Sequence, residues 1–178
     1  TVLHHNFFLI TFAATINNMT RILGIDYGTK RIGLAATDPL QMFASPLETV
    51  NTHQFYDFLK GYLNTEKVEA FVIGYPVRMN NEPSESVKYI DPFIKKLEKS
   101  YPGIPVHRVD ERFTSEMAFR SMIEGGVSKK DRRDKSMVDK ISAAIILQSF
   151  IDKRQRALGT DLRAQGSGHT ALGARKQS

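Results

Sequence analysis

Four acidic residues stand where folding does not call for acid. Asp26 closes the apolar run "RILGID" ahead of a turn containing Gly28; Asp110 and Glu111 end the segment "VHRVDER"; Asp139 lies near the start of the last helical segment. Carboxylates gathered from two strand ends and a helix start offer hard oxygen donors. Mg²⁺ takes a few such ligands together with water and substrate phosphate oxygens. Two ions of this kind about 4 Å apart stabilise both the attacking and the leaving oxygen of an in-line phosphoryl displacement. The expected cofactor is therefore Mg²⁺ or Mn²⁺, and such chemistry needs no thiol, histidine triad or organic cofactor. Each acid also has a purely structural role open to it. Asp26 can bond its own turn backbone, and Asp139 stands three residues after Ser136, at capping-box spacing. Asp110 and Glu111 point to opposite faces if both are in a strand, and one of them can pair with Arg108 or Arg112.

Cations flank these acids in sequence. Lys129, Lys130, Arg132, Arg133 and Lys135, interrupted by Asp131 and Asp134, precede the helix of Asp139. Lys30 and Arg31 occupy the turn after Asp26. Such runs are commonly solvated loops, but beside an acidic cluster they suit contacts to a phosphate backbone. His53 and His107 have no partner at metal-ligand spacing and are expected in core or surface roles.

The elements that must position these residues follow from periodicity. Residues 20–26, 31–37 and 47–50 read as three short strands with tight connections, an antiparallel meander broken at Asp38-Pro39. Phe55, Phe58, Leu59, Tyr62 and Leu63 recur at helical spacing, which predicts a helix over 53–65. "EAFVIGYP" (69–76) is a strand. A helix opening near Ser84–Ser86 buries Val87, Ile90, Ile94 and Leu97, with Pro92 marking a kink or a later start. Strand 106–112 follows, then a helix capped by Ser115 and ended by Gly125-Gly126. A last helix spans about 136–153, with Ile141, Ala144, Ile145 and Phe150 on its apolar side. Strands alternating with helices imply a mixed α/β sheet with helices on its faces and ligands at its strand ends.

With 178 residues the chain is expected to hold one main domain. It has no cysteine, which removes disulfides and thiolate metal sites and agrees with a cytoplasmic location. The net charge is +6, yet Arg154, Arg156, Arg163, Arg175 and Lys176 against Asp161 put +4 of it in residues 154–178. Bulk charge is thus a poor argument for a nucleic-acid partner. Residues 1–18 precede Met19 and read as an extraneous or flexible segment; their apolar run from Phe7 to Ile16 follows no Lys or Arg and is too short to span a bilayer. The stretch 154–178, rich in Gly, Ala, Gln and Arg, is expected to be a flexible, disordered tail.

Four segments in order, "GIDYGTKRIGLA", "VIGYPVRMN", "VDERFTS" and "VDKISAAIILQSFID", together resemble the YqgF/RuvX family of bacterial RNase H-like proteins over about residues 20–153. The resemblance implies an RNase H-like fold for a domain at 19–153: a central five-stranded mixed sheet, three strands antiparallel and the rest parallel. It also implies a divalent-metal-dependent nuclease acting on structured RNA or branched DNA, either maturing the 5′ end of pre-16S rRNA or resolving Holliday junctions. Its acidic positions fall on Asp26, Glu111 (or its neighbour Asp110) and Asp139. Its Gly-x-Pro loop falls on Gly74 and Pro76, and its Asp-Glu-Arg-x-Thr run on Asp110, Glu111, Arg112 and Thr114. Lys30, Arg31, Arg112, Thr114 and the 129–135 run are then the expected backbone contacts. One departure is visible: the loop after "GYPVRMN" continues "NEPSES" where the family pattern usually has Asp-Gly and more glycine.

Two rival readings are worth testing. "GIDYGT" also looks like the phosphate loop of actin-like sugar kinases and chaperone ATPases, but the second Asp-x-Gly domain those proteins need is missing. A non-catalytic RNA- or ribosome-binding module on the same fold is the other. A junction-cutting enzyme would be a homodimer with two sites, whereas RNA trimming needs only a monomer.

Overall fold

The computed structural model describes residues 20–76, 86–110, 114–126, 128–129 and 134–167. Five strands form one sheet: β1 Arg21–Tyr27, β2 Arg31–Thr37, β3 Ala44–Asn51, β4 Val68–Tyr75 and β5 Val106–Asp110. Their spatial order is β3-β2-β1-β4-β5. β1 pairs antiparallel with β2, and β2 with β3; β1 pairs parallel with β4, and β4 with β5. This is the mixed sheet expected, with β2 at the very residues its pattern indicates. β3 is longer than 47–50 because it continues through Pro46. A register shift there leaves Leu47 as the extra residue, and β3 is an edge strand, where a missing N–H is tolerated.

Four helices follow: α1 Phe55–Thr65 (after a 3-10 turn at Thr52–Gln54), α2 Val87–Ser100, α3 Thr114–Glu124 and α4 Lys135–Ser167. α2 starts at Val87 and runs through Pro92. Pro92 is exposed, so the carbonyl that loses its helical partner can turn to water.

Strand alternation sends side chains to two different layers. Leu23, Ile25, Ile32, Leu34, Phe71 and Ile73 pack with Phe55 and Leu59 of α1 and with Ile90, Phe93, Ile94 and Leu97 of α2. The opposite face buries Ile22, Ala35, Ala70 and Val72 under Ala143, Ala144, Ile146, Leu147 and Ile151 of α4. Ala144 is buried and Phe150 packs against this layer as expected, but Ile141 and Ile145 are only half-buried, while Ala143 and Leu147 are fully buried. The bare backbone of Gly24 makes room for Leu147 and for the Ala143 carbonyl, which sets the inward face of the helix.

α4 also outruns its expected end at Lys153 and continues as helix to Ser167. Arg154 ties this extension to the body, donating to Glu69 Oε1 at 3.2 Å and to Gln41 Oε1 at 3.1 Å. Gln41 holds a left-handed backbone (φ 55°), uncommon for a non-glycine residue. Its amide donates to the Thr20 carbonyl and hydroxyl and to Glu69 Oε2. Chiefly through Gln41, against the cost of partial burial, the Glu69 carboxyl is held below its ordinary range, with Thr20 and Arg154 adding to the effect. No helix among the described residues is long and apolar enough to cross a membrane.

Candidate active site

Asp26 is part of the β1 ladder, not of the turn. Its partner across the antiparallel pair is Gly33. The turn closes further on, where the Gly28 N–H donates to the Arg31 carbonyl at 3.0 Å and the Thr52 hydroxyl donates to the Gly28 carbonyl at 2.8 Å. Directly opposed residues in an antiparallel pair share a face, and Ile22 and Gly24 put that face of β1 under α4. A Cβ on Gly24 would meet Leu147 Cβ at 2.8 Å and the Ala143 carbonyl at 2.9 Å. A Cβ on Gly33 would overlap the backbone carbonyl of Asp139 itself. The absence of a side chain at Gly33 therefore lets the helix carrying Asp139 come down onto the strand pair carrying Asp26.

The start of α4 decides what Asp139 is for. Asp134 caps this helix: its Oδ1 accepts from the Ser136 N–H at 2.9 Å, and its carbonyl accepts from the Val138 N–H at 3.2 Å. The helix thus begins one residue before Ser136, and the first turn holds no acid. Ser136 is not the cap, so the capping-box role open to Asp139 in the sequence falls away. The Thr49 hydroxyl donates to the Ser136 carbonyl at 2.7 Å, fixing this end of α4 to β3.

Asp139 is engaged instead by Arg31, whose Nε donates to Asp139 Oδ2 at 2.8 Å. The two side chains are 36% and 26% exposed, and they are 108 positions apart in the chain. Arg31 is two residues before Gly33 on β2, so strand alternation puts it on the α4 face. Lys30, beside it in the turn, is exposed.

Along β5 the side chains alternate between the two faces of the sheet. The His107 ring lies tilted against Phe150 of α4, centroids 4.9 Å apart, which places His107 and Val109 on the α4 face. Arg108 lies on the other face, over the Tyr75 ring at 5.1 Å and 3.8 Å from Asp91 Oδ1. The Tyr75 hydroxyl donates to the same Asp91 oxygen at 3.1 Å, and burial followed by that bond pushes its pKa up. Asp110 pairs in register with Tyr75 and has the parity of Arg108. Glu111 and Arg112 lie outside the described residues, as do Lys130, Arg132 and Arg133. Thr114 opens α3. Lys129 and Lys135 are exposed, Lys135 as the first residue of α4.

Among the described residues no three His, Asp or Glu side chains form a metal-ligating group. Asp26 and Asp139 are the two acids brought to one face here. A groove of about 770 Å³ runs between β5 and α4, lined in part by His107, Val109, Phe150, Lys153 and Arg154. Sequence reasoning gave these residues no site role. The only signal was their spacing on the outer flank of α4, which shows once the true inward face is known.

The family model described as RuvX, Holliday junction resolvase, matches residues 20–153. A protein of Porphyromonas gingivalis named "Putative pre-16S rRNA nuclease" is 56% identical over 138 residues, which cover 78% of this chain and all of that relative. A Bacteroides thetaiotaomicron protein of the same name is 51% identical over 137 residues, 77% of this chain and 99% of the relative. Among solved structures, RuvC of Thermus thermophilus in complex with a Holliday junction substrate aligns with 76% of this chain and 96% of its own. Its TM-score is 0.47 at 20% identity, too remote a likeness to argue from.

Proposed function

Because the chain belongs to the RuvX family of Holliday junction resolvases, we propose that it is a divalent-metal-dependent endonuclease cutting phosphodiester bonds in structured nucleic acid. Its substrate in this reading is the 5′ region of pre-16S rRNA, the molecule named for its relatives, which puts its work in the cytoplasm. The observation that carries the reading is the placement of Asp139. A glycine two residues beyond Arg31 brings it down beside the ladder position of Asp26, and Asp134 frees it from capping.

Carboxylate oxygens at a half-exposed helix start are a suitable donor set for Mg²⁺ or Mn²⁺. Asp26 and Asp139 would hold the metal. Glu111, or its neighbour Asp110, would be the third ligand. When bound, the metal supplies activation of water and charge stabilisation at the scissile phosphate. Lys30, Lys129 and Lys135, with Arg112, Thr114, Lys130, Arg132 and Arg133, would hold the nucleic-acid backbone around it. Such contacts position the substrate without reading its sequence. The groove along β5 would carry the strand away from the site, with Lys153 on its wall and Phe150 as an apolar floor.

Asp26→Asn and Asp139→Asn are expected to abolish cleavage of a pre-16S rRNA 5′ fragment and of a four-way DNA junction in Mg²⁺ or Mn²⁺, with thermal melting and RNA binding nearly unchanged. Cleavage at the wild-type rate by either variant would overturn the reading. Binding without cleavage by the wild type, at any metal concentration, would leave a non-catalytic binding module.

A further inference from the structure

Arg31 carries a permanent positive charge, and it directs that charge at Asp139, a carboxylate of the candidate centre. We propose that Arg31 is a placeholder cation: it holds Asp139 while no divalent ion is bound, and it is released toward the substrate phosphate when one is. The proposal rests on the metal-binding reading of Asp26 and Asp139.

Three observations carry it. First, Arg31 Nε occupies Oδ2 of Asp139 at 2.8 Å, so a metal ligated through that oxygen and this guanidinium compete for the same lone pairs. Second, both side chains reach solvent, and exposed ion pairs are weak enough to open. Arginine does not lose its proton at any relevant pH, so it leaves only by moving, still charged. Third, Arg31 begins β2 beside exposed Lys30, so a freed guanidinium stays at the mouth of the site, where its planar fork suits a phosphate. Metal and phosphate binding would then assist each other, and the coupling is reciprocal.

Removing the charge should tighten metal binding while weakening cleavage, and release of the guanidinium, which a merely structural arginine would not show, is read separately. Calorimetric titration of Mn²⁺ alone into the full chain is expected to give a Kd about 3- to 10-fold lower for Arg31→Gln than for wild type, the order expected for removing one screened like charge. Arg31→Lys, which keeps the charge, should stay within about twofold of wild type. In the wild type, the side-chain Nε–H signal of Arg31 should lose its protection from solvent exchange as Mg²⁺ saturates the site. This second measurement needs no variant to fold. Equal or weaker Mn²⁺ binding by Arg31→Gln, or an Nε–H signal unchanged at saturating Mg²⁺, would overturn the placeholder role and leave the metal site standing. No Mn²⁺ binding by the wild type would overturn both.

Discussion

The two faces of the sheet are built on opposite plans. Toward α1 and α2 the strands present Leu, Ile and Phe, and aromatic rings interlock there: Phe93 lies 4.6 Å from Tyr27 and 5.1 Å from Phe55. Toward α4 they present Ile22, Ala, Val and the bare backbone of Gly24 and Gly33. The first face buries side-chain volume, from which most hydrophobic stabilisation comes. The second gives that volume up for closeness, and the closeness brings an acid from a helix beside an acid from a strand. The bulk of the packing and the candidate site thus fall on different sides of one layer.

Substitutions on each side can break this contrast. Phe71→Ala, on the packed face, should cost the most stability, about 3–5 kcal/mol in denaturant unfolding, while each molecule still folded cuts at the normal rate. Gly33→Ala, on the lean face, should cost about 1–3 kcal/mol as the helix is forced away. It should nonetheless lower cleavage by about 100-fold or more, because a shift near 1 Å at a catalytic group is that damaging. If the two variants lost activity in proportion to stability, the division between faces would be wrong. The smallest effect concerns acid. The folded state holds Glu69 below its ordinary carboxyl value of 4.5, so its contribution is present above that value and is lost as pH falls through the lowered one. Glu69→Gln should flatten this limb of the melting temperature between about pH 5 and 3, with little change at pH 7.

Much of the packed face was legible from the chain, because it obeys simple periods. Alternation located β1, β2 and β4 within a residue or so, and helical spacing found Phe55, Leu59, Ile90, Ile94 and Leu97. The lean face was harder for a physical reason. Ranking residues by size turned α4 toward Ile141 and Ile145, whereas the glycines of the sheet select Ala143 and Leu147. The cap was misplaced by two residues, since Asp134 reads as one more charge in a basic run until the helix start is known. The pairing of Arg31 with Asp139 spans 108 positions and leaves no local mark. The acids are conspicuous as candidates all the same, because a carboxylate at the end of an apolar strand stands out against its neighbours.

α4 has 33 residues and at 1.5 Å per residue is about 50 Å long, while β1 with seven residues spans about 23 Å. So long a rod overhangs its table, which holds it at Gly33, at Gly24 through Ala143 and Leu147, and near Ile151. The overhang is tied down in turn, since Arg154, about 22 Å from Asp139 along the axis, is gripped by Gln41 and Glu69. Loosening that knot should fray the outer turns of the helix while Asp139 keeps its place.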